Sequence, residues 1–342
     1  MKTITRLALL AAILIISTAN YAQNLIAVQN GGTPKFYASL DSAITHSSAG
    51  DTLFLPGGSY SFYTAISKRL HFIGTGYHPD STSVTLPTQI NGDIGLQTIA
   101  SGGSMTGINF TGKIYFGNIS AAENYTFFRC KINQMISYVS YSWSTTVKNN
   151  KFYENTISSI FFGGGDSNYF INNIFGGISG TGSNNLFKNN IFLSGISTGY
   201  YTIESTIFEN NIFISNPTFG LYGSNYFSNN ILKNNIFVEN ISFPYLTSNI
   251  GSGNIVNQTQ ASIFVNQTGF AFDFTHDYHL KPTSPGKNAG TDGTDIGIYG
   301  GSYPWKEGSI PSNPHFQSVK IAPKTDTNGN LNVNIKVQAQ DN

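Results

Sequence analysis

The densest group of titratable residues in this chain consists of Asp273, His276, Asp277 and His279. Carboxylates and imidazoles that lie within a few residues of one another can exchange protons or bind a metal ion. On an extended strand, however, side chains three residues apart point to opposite faces, so His276 and His279 would diverge. The spacing therefore favours a structural role for this group. We expect neither a metal site nor a cofactor site in the chain.

Other carboxylates form weaker candidates. Glu204, Glu209 and Glu239 are spread along the chain, and separate solvated side chains are a simpler interpretation than a catalytic set. Residues 326–330 begin like a calcium-binding loop but lack the later glutamate that closes such loops, so a plain turn is favoured. The sequence contains no His-Glu-x-x-His, no phosphate-binding loop and no nucleophile elbow. It therefore reveals no specific reaction.

A repeated phrase predicts the elements that would position any site. An apolar residue, two further residues, Asn, one residue and a second apolar residue recur at 147–152, 170–175, 187–192, 208–213 and 232–237. The final apolar positions are 23, 17, 21 and 24 residues apart, which is typical of a solenoid with one unit per repeat. The content of Phe, Ile and Asn favours short strands joined by tight bends.

The phrase also predicts which side chains face the interior. The final apolar residues are expected to form an inward stack of Phe152, Phe175, Phe192, Phe213 and Phe237. The residue before them, which is Lys151 in the first repeat and Ile in the others, should then face outward, because side chains alternate along a strand.

The Asn of each phrase is expected to bond to its equivalents on neighbouring coils, which lie ~4.8 Å away. The second Asn of each pair is expected to take the left-handed backbone conformation that bends the strand. Two earlier matches lack Asn, and one of them places Cys130 in the column. The predicted structural ladder is Cys130, Asn150, Asn173, Asn190, Asn211 and Asn235. As the one cysteine of the chain, Cys130 cannot form an internal disulfide, and a buried thiol is favoured over a reactive one.

Both ends of the chain carry further patterns. Residues 36–44 have apolar side chains at helical spacing, and a Gly-Asp turn, a strand, a Pro-Gly turn and a strand ending in Gly-x-Gly follow over residues 49–76. Near the other end, residues 277–290 and 295–301 form two Gly- and Pro-containing motifs. In the tail, apolar and polar residues alternate over 331–338, which predicts a hairpin around residues 325–330.

The repeat and these ends resemble the right-handed parallel β-helix of the pectin-lyase-like superfamily, over nearly the whole mature chain. The resemblance implies an all-β fold: a single-stranded right-handed parallel β-helix with an N-terminal capping helix and a C-terminal β-hairpin. It also implies that residues 277–301 form the closing coil. The C-terminal hairpin is expected to dock on the solenoid, with a sorting or anchoring signal as the alternative.

The superfamily includes polysaccharide lyases and hydrolases, so their sites are the first to compare. Its lyases use calcium-binding aspartates and an arginine base, but the two arginines beyond the leader, Arg69 and Arg129, do not lie in acidic clusters of the sequence. The Asn-Thr-Asp, Asp-Asp, Gly-His-Gly and Arg-Ile-Lys motifs of its hydrolases do not occur. The catalytic residues are therefore unknown, and whether the chain is an enzyme stays open.

The first 22 residues resemble a secretory signal peptide. Lys2 and Arg6 precede an apolar run over residues 7–16, and cleavage is expected near Ala22. The run is too short for a membrane span, which needs ~20 residues. The predicted domains are a signal peptide at 1–22, the β-helix at 23–305 and the hairpin and tail at 306–342. The mature chain is expected to be secreted or to lie at the cell surface.

Composition narrows the choice of partner. Loss of Lys2 and Arg6 changes the formal charge from +1 to −1, which argues against nucleic acid or an anionic membrane as partner. Charged residues make up 10% of the chain and aromatic residues 14%, so a surface of Asn, Ser, Thr, Gly and Tyr is expected. Such a surface suits polysaccharide, although an Asn-rich solenoid would look the same without a ligand. A monomer is expected.

Several aromatic residues lie off the inward positions of the repeat and could stack on sugar rings. They are Tyr138, Tyr141, Trp143, Tyr153, Tyr169, Tyr200, Tyr201 and Tyr226. The first functional hypothesis is a non-catalytic glycan-binding, adhesive or structural surface module. The alternative is a polysaccharide lyase or glycoside hydrolase with an unrecognised site. A row of outward aromatic residues would favour binding, whereas carboxylates stacked on neighbouring coils would favour the enzyme.

The leader can be tested directly. N-terminal sequencing of the exported protein should find a first residue near Gln23, because a basic start followed by a short apolar run directs cleavage after small residues. An exported chain that still begins at Met1 would contradict this expectation.

Overall fold

The structure is a computed structural model that describes residues 25–62, 65–117, 121–137, 146–197, 202–215, 227–238 and 248–339. The predicted leader lies outside these residues. The described chain winds into a parallel β-helix whose coils contribute strands to three sheets. Because each strand is short and pairs with its equivalents on the coils before and after it, the sheets run along the helix axis.

Sheet 1 begins with two antiparallel strands and continues with parallel ones. In pairing order, its strands are Lys35–Tyr37, Ile26–Gln29, Thr52–Phe54, His71–Ile73, Ser104–Thr106, Thr126–Phe128, Lys151–Tyr153, Tyr169–Ile171, Leu186–Lys188, Ile207–Glu209, Ile231–Lys233 and Ile250–Ser252.

Sheets 2 and 3 complete the coils, and both are parallel. Sheet 2 comprises Gly58–Ser61, Ala65–Ile66, Thr88–Asn91, Ile94–Leu96, Asn109–Phe116, Lys131–Ile136, Thr156–Phe161, Ile174–Ser179, Ile191–Phe192, Ile196–Ser197, Ile212–Phe213 and Ile236–Phe237. Sheet 3 comprises Val147–Lys148, Gly165–Asp166, Gly182–Ser183, Ile203–Glu204 and Phe227–Ser228.

Four helices and two antiparallel strand pairs make up the remaining regular structure of the described chain. The helices are α1 (Leu40–His46), α2 (Gln260–Ile263) and two 3₁₀ turns, Thr98–Ala100 and Glu307–Ser309. The strand pairs are Phe264–Asn266 with Asp277–Leu280, and His315–Ile321 with Val333–Gln338. Helix α1 begins at Ser39, whose hydroxyl accepts the Ser42 N–H, and its Leu40 and Ala43 are buried in the solenoid core.

Seven successive coils bend at two corners that flank the sheet 1 strand. In each of them, a residue with positive φ begins the first corner, and another begins the second corner five residues later. These pairs are Gly102 and Gly107, Asn124 and Arg129, Asn149 and Glu154, Ser167 and Asn172, Asn184 and Asn189, Ser205 and Asn210, and Asn229 and Asn234. The first Asn of each Asn-Asn pair therefore makes the left-handed turn, and the prediction that the second one does so is wrong.

The residue after each left-handed corner is buried, and at most corners it is Asn. Ladder 1, between sheets 1 and 2, consists of Cys130, Asn155, Asn173, Asn190, Asn211, Asn235 and Asn254. Ladder 2, between sheets 3 and 1, consists of Asn150, Asn168, Asn185, Thr206, Asn230 and Asn249. In both ladders the side-chain oxygen of one rung accepts the backbone N–H of the preceding rung.

The predicted ladder therefore needs one correction. Asn150 belongs to ladder 2, where it donates its backbone N–H to Asn168 at 3.0 Å. Asn155 takes its place in ladder 1, below Asn173. The repeated phrase fits both corners, because each consists of a turning residue, a buried residue and a strand. The phrase at 147–152 matches the first corner of its coil, whereas the later phrases match the second.

The Phe residues form two stacks for the same reason. In sheet 1, Phe127, Phe152, Phe170, Phe187 and Phe208 stack with ring centroids 4.5–5.3 Å apart. In sheet 2, Phe175, Phe192, Phe213 and Phe237 stack at 4.6–5.1 Å. Phe152 thus lies in the stack of sheet 1 and not, as predicted, in that of Phe175. All of these rings are buried in one core that runs along the axis.

The chain after the last coil returns along the outside of the solenoid. This strap, residues 289–310, passes the second corner of six successive coils, where the left-handed residue points outward and holds it. Asn234 donates to the Ala289 carbonyl at 2.9 Å, Asn172 donates to the Ile298 carbonyl at 2.7 Å, and Arg129 donates to the Ile310 carbonyl at 2.9 Å. Residues 277–301 are therefore not a closing coil, as predicted, but lead into and form most of this strap.

The six left-handed residues whose side chains bond to the strap form the clasp column. They are Arg129, Glu154, Asn172, Asn189, Asn210 and Asn234. At one end, Arg129 and Glu154 form a buried ion pair at 2.9 Å, and Glu154 also accepts the Lys306 N–H. Burial raises the pKa of Glu154, although the hydrogen bond and charge of Arg129 oppose this shift. The ion pair therefore depends on its own hydrogen bonds for its stability.

Apolar residues of the strap cover the outer side of sheet 2. Ile298 and Trp305 pack, together with Tyr278 and Leu280 of the preceding strand, over a row of outward isoleucines. That row is Ile174, Ile191, Ile212 and Ile236, and all four side chains are fully buried. They face away from the coil interior, as predicted, but not toward solvent. Lys151 is not their equivalent, because it lies in sheet 1 in register with Tyr169, Leu186 and Ile207.

Removal of one rung of ladder 1 should destabilise the protein. The Asn190 side chain accepts the Asn173 N–H at 2.8 Å and donates to the Phe170 carbonyl at 2.8 Å, so Asn190→Ala leaves both groups unsatisfied in the interior. We expect a loss of ~1–3 kcal/mol in the free energy of unfolding, measured by denaturant titration. As a control, Asn184→Gly changes an exposed left-handed residue and should cost less than ~1 kcal/mol. Equal losses would contradict the ladder.

The cover over sheet 2 predicts a second contrast. Ile191→Lys places a charge beneath the strap, and we expect a loss of about 3–5 kcal/mol because the ammonium group is buried without a partner. Ile207→Lys changes a residue in the same row as Lys151 and 36% exposed, so its loss should stay below about 1 kcal/mol. If thermal or chemical denaturation ranks the two variants the other way round, the strap does not cover sheet 2.

Candidate functional site

The predicted titratable cluster lies where the strap meets the strand Asp277–Leu280. His279 Nδ1 is 2.7 Å from Asp277 Oδ1, and its ring stacks on Tyr299 with centroids 3.8 Å apart. Burial raises the pKa of Asp277, but the hydrogen bonds from His279 outweigh this effect, and the net shift is downward. His276 approaches the Tyr278 hydroxyl instead, at 3.4 Å. These contacts hold the strand and the strap together.

The cavity beside this cluster is too small for a substrate. It measures about 40 Å³ and is lined in part by His78, Asp273, His276 and Glu307. A space of this size admits water molecules but no sugar ring. Across the described residues, no group of three His, Cys, Asp or Glu side chains could hold a metal ion. This cluster therefore offers neither a substrate cavity nor a metal site.

The scattered carboxylates do not converge either. Glu204 lies in sheet 3 and accepts a hydrogen bond from Asn229, whereas Glu209 lies in sheet 1 and pairs with Lys188 at 2.8 Å. Burial would raise the pKa of Glu209, but Lys188 and Thr291 hold it below its usual value. Glu239 lies outside the described residues. The Asp326 carboxylate accepts the N–H groups of residues 328 and 330, as in a plain turn.

The arginine of the clasp column is equally inaccessible. Arg129 and Glu154 have relative exposures of 0% and 1%, so this pair cannot touch a polymeric substrate. The spacing of the repeat contains a signal for this pair. Both residues occupy the first position of a second corner, the position that Asn172 and Asn189 take on later coils.

A cleft opens on the outer face of sheet 2, in a part that the strap does not cover. Its volume is about 420 Å³, and its lining residues come from five successive coils. The lining residues are Lys113, Gln134, Ile136, Ser159, Ile160, Phe161, Gly177, Ile178, Ser179 and Gly195. Polar and apolar side chains thus alternate along its floor, and Lys113 is the one ionisable side chain among the residues described as lining it.

Cross-coil register explains how these side chains converge. Lys113, Gln134, Ser159 and Gly177 lie opposite one another on successive coils, and Ile136 and Phe161 form the adjacent row. A β-bulge at residues 111–112 precedes Lys113 and shifts the register of its strand. Bulges of this kind redirect side chains next to functional sites.

Glycine residues make the floor of the cleft deep at one end. A Cβ atom at Gly176 would lie 2.3 Å from the Ser158 carbonyl oxygen, so this position requires glycine. A Cβ atom at Gly177 would meet no atom within 4 Å, because the position opens into the cleft. The cleft is thus a concave surface with hydroxyl, amide and ammonium donors beside one aromatic ring.

Of the outward aromatic residues, two lie among the described residues. Tyr153 packs in a tilted arrangement against Tyr303 of the strap, with ring centroids 5.3 Å apart, and Tyr169, on the next coil of sheet 1, is 42% exposed. Burial raises the pKa of Tyr153, and the neighbouring Tyr303 and Tyr169 add to this shift. Tyr138, Tyr141, Trp143, Tyr200, Tyr201 and Tyr226 lie outside the described residues.

Within the described ranges, the structure contains no helix that is both long and apolar enough to cross a membrane.

A family model described as "Right handed beta helix region" matches residues 134–277, which carry every rung of both ladders except Cys130. No curated protein matches the chain. Over the matched residues, the structure shows the coil-by-coil parallel pairing that this description implies. The chain is therefore a right-handed parallel β-helix protein, and its features are consistent with the pectin-lyase-like superfamily.

Proposed function

We propose that this protein is an exported surface module that binds neutral polysaccharide without cleaving it, and that the cleft on sheet 2 is the binding site. The observation that carries the proposal is the lining of that cleft. Gln134 and Ser159 supply amide and hydroxyl groups for sugar hydroxyls, and Phe161 supplies an apolar ring face beside them. Sites for small ligands combine apolar walls with a few polar groups in this way.

The dimensions of the cleft support a chain-like ligand. Its volume of about 420 Å³ falls within the range of ligand pockets, and its long direction crosses successive coils. Because neighbouring strands lie ~4.8 Å apart, a polymer along the axis would meet similar groups at regular intervals. Tyr169 of sheet 1 and Tyr303 of the strap are exposed, and Tyr303 packs against the half-buried Tyr153; a bound polysaccharide could also contact these rings.

The chemistry of the lining favours binding over cleavage. Glycoside hydrolysis needs a pair of carboxyl groups, and proton abstraction needs a base near the substrate. Among the described residues that line the cleft, Lys113 is the one ionisable side chain. The Asp93 carboxylate accepts the Lys113 N–H at 2.8 Å but is not part of this lining. An ammonium group can donate hydrogen bonds to a sugar, which suits a binding role.

Gly177→Phe tests the site. The new ring would fill open space in the cleft without touching the backbone, so binding should fall at least tenfold while the melting temperature stays unchanged. A glycan array followed by calorimetry on the best polysaccharide measures this. The matched control is Gly32→Phe, which also adds a ring in open space but lies far from the cleft in sequence and outside its lining.

Two outcomes would refute the proposal. Unchanged affinity of the Gly177→Phe variant would show that the polysaccharide binds elsewhere on the protein. New reducing ends or unsaturated products in the incubated polysaccharide would show that the protein is a lyase or hydrolase.

A further inference from the structure

The C-terminal hairpin presents an apolar face to solvent. In this ribbon, residues 315–338, three apolar pairs lie directly opposite one another. They are Phe316 with Val337, Val319 with Ile335, and Ile321 with Val333. Residues paired across two strands lie on the same face of the sheet, so the six side chains form one continuous surface.

This face is open, and it is uncharged. Its six side chains are between 40% and 60% exposed. The charged residues of the two strands fall into other pairs, Ser318 with Lys336 and Lys320 with Asn334, and so occupy the opposite face. The ribbon is thus amphipathic, and two such faces could meet without repulsion between like charges.

An apolar gap continues this face toward the solenoid. The gap has a volume of about 790 Å³ and lies between Phe316 and Val319 of the ribbon and Ala27, Ile73 and Val84 of the first coils. Apolar walls of this extent, next to an exposed apolar sheet face, are unfavourable in water.

We infer that the apolar face of the ribbon, with the adjoining gap, is an interface between two copies of this chain. A second copy supplies the same uncharged face, so the two surfaces match in chemistry and in size. The exposed parts of the six side chains amount to on the order of 500 Å² for each chain, which is as large as the largest apolar patch on most monomers.

The area agrees with a dimer. Burial of this face and the walls of the gap on both copies approaches the ~800 Å² for each partner that specific interfaces bury. A two-stranded ribbon alone is only marginally stable, and stacking two ribbons yields a four-stranded sandwich. In a two-fold arrangement, the central pair Val319 and Ile335 lies nearest the axis. The inferred dimer differs from the monomer expected from the sequence.

The test is the mass of the chain from Gln23 onward, measured by light scattering and sedimentation over about 1–100 µM. We expect twice the monomer mass for the native sequence and the monomer mass for Ile335→Glu, which places a charge at the centre of the face. Ser318→Glu carries the same charge on the opposite face, across from Lys336, and should remain dimeric.

A cysteine variant shows whether the dimer forms through this face without relying on Ile335→Glu, which could also unfold the ribbon. Val319→Cys should form a disulfide-linked dimer under mild oxidation, because each new thiol lies near its copy, whereas the native Cys130 is fully buried and should not react. A monomeric native chain, a dimeric Ile335→Glu variant, or failure of Val319→Cys to cross-link would each overturn the inference.

Discussion

The backbone amide groups at the corners of the solenoid must find hydrogen-bond partners inside a dry core, and the rest of the structure depends on how they do so. At each bend, the N–H of the residue after the turn finds no acceptor within its own coil and donates to a side chain of the next coil. The short Asn side chain carries both an acceptor oxygen and a donor amide group. The oxygen of an Asn rung accepts the backbone N–H of the preceding rung, and its amide group donates to a backbone carbonyl. Two such ladders allow three-residue strands to stack with sharp corners between them.

The turning residue before each rung has a consequence on the outside. Because its side chain points away from the core, a whole column of polar side chains lines the second corner, and the strap binds along it. The strap then buries the isoleucines at the start of the sheet 2 strands. The later parts of the longer strands, such as Thr156–Phe161, remain open. The corner geometry thus decides which part of the outer surface is available to a ligand.

The sequence predicted the solenoid, the capping helix and the terminal hairpin, because each has a local pattern. The sequence did not show that the phrase at 147–152 forms the first corner of its coil and not the second. Two corners of similar composition lie five residues apart, and the second corner of this coil carries Glu154-Asn155 in place of an Asn-Asn pair. The burial of Ile191 beneath the strap was not predicted either, because it depends on residues about 100 positions further along the chain. The cleft was missed because Lys113, Gln134 and Ser159 converge only through cross-coil register.

The path of the strap also affects how the repeats act together. In an array whose units touch only their immediate neighbours, the ends can fray while the middle stays folded. Here one segment runs from the coil of Asn234 back to the coil of Arg129 and bonds to each coil between them. Loss of the last coil would release the segment that holds the earlier ones. The strap therefore links six coils that do not all touch one another, and we expect these six coils to unfold together.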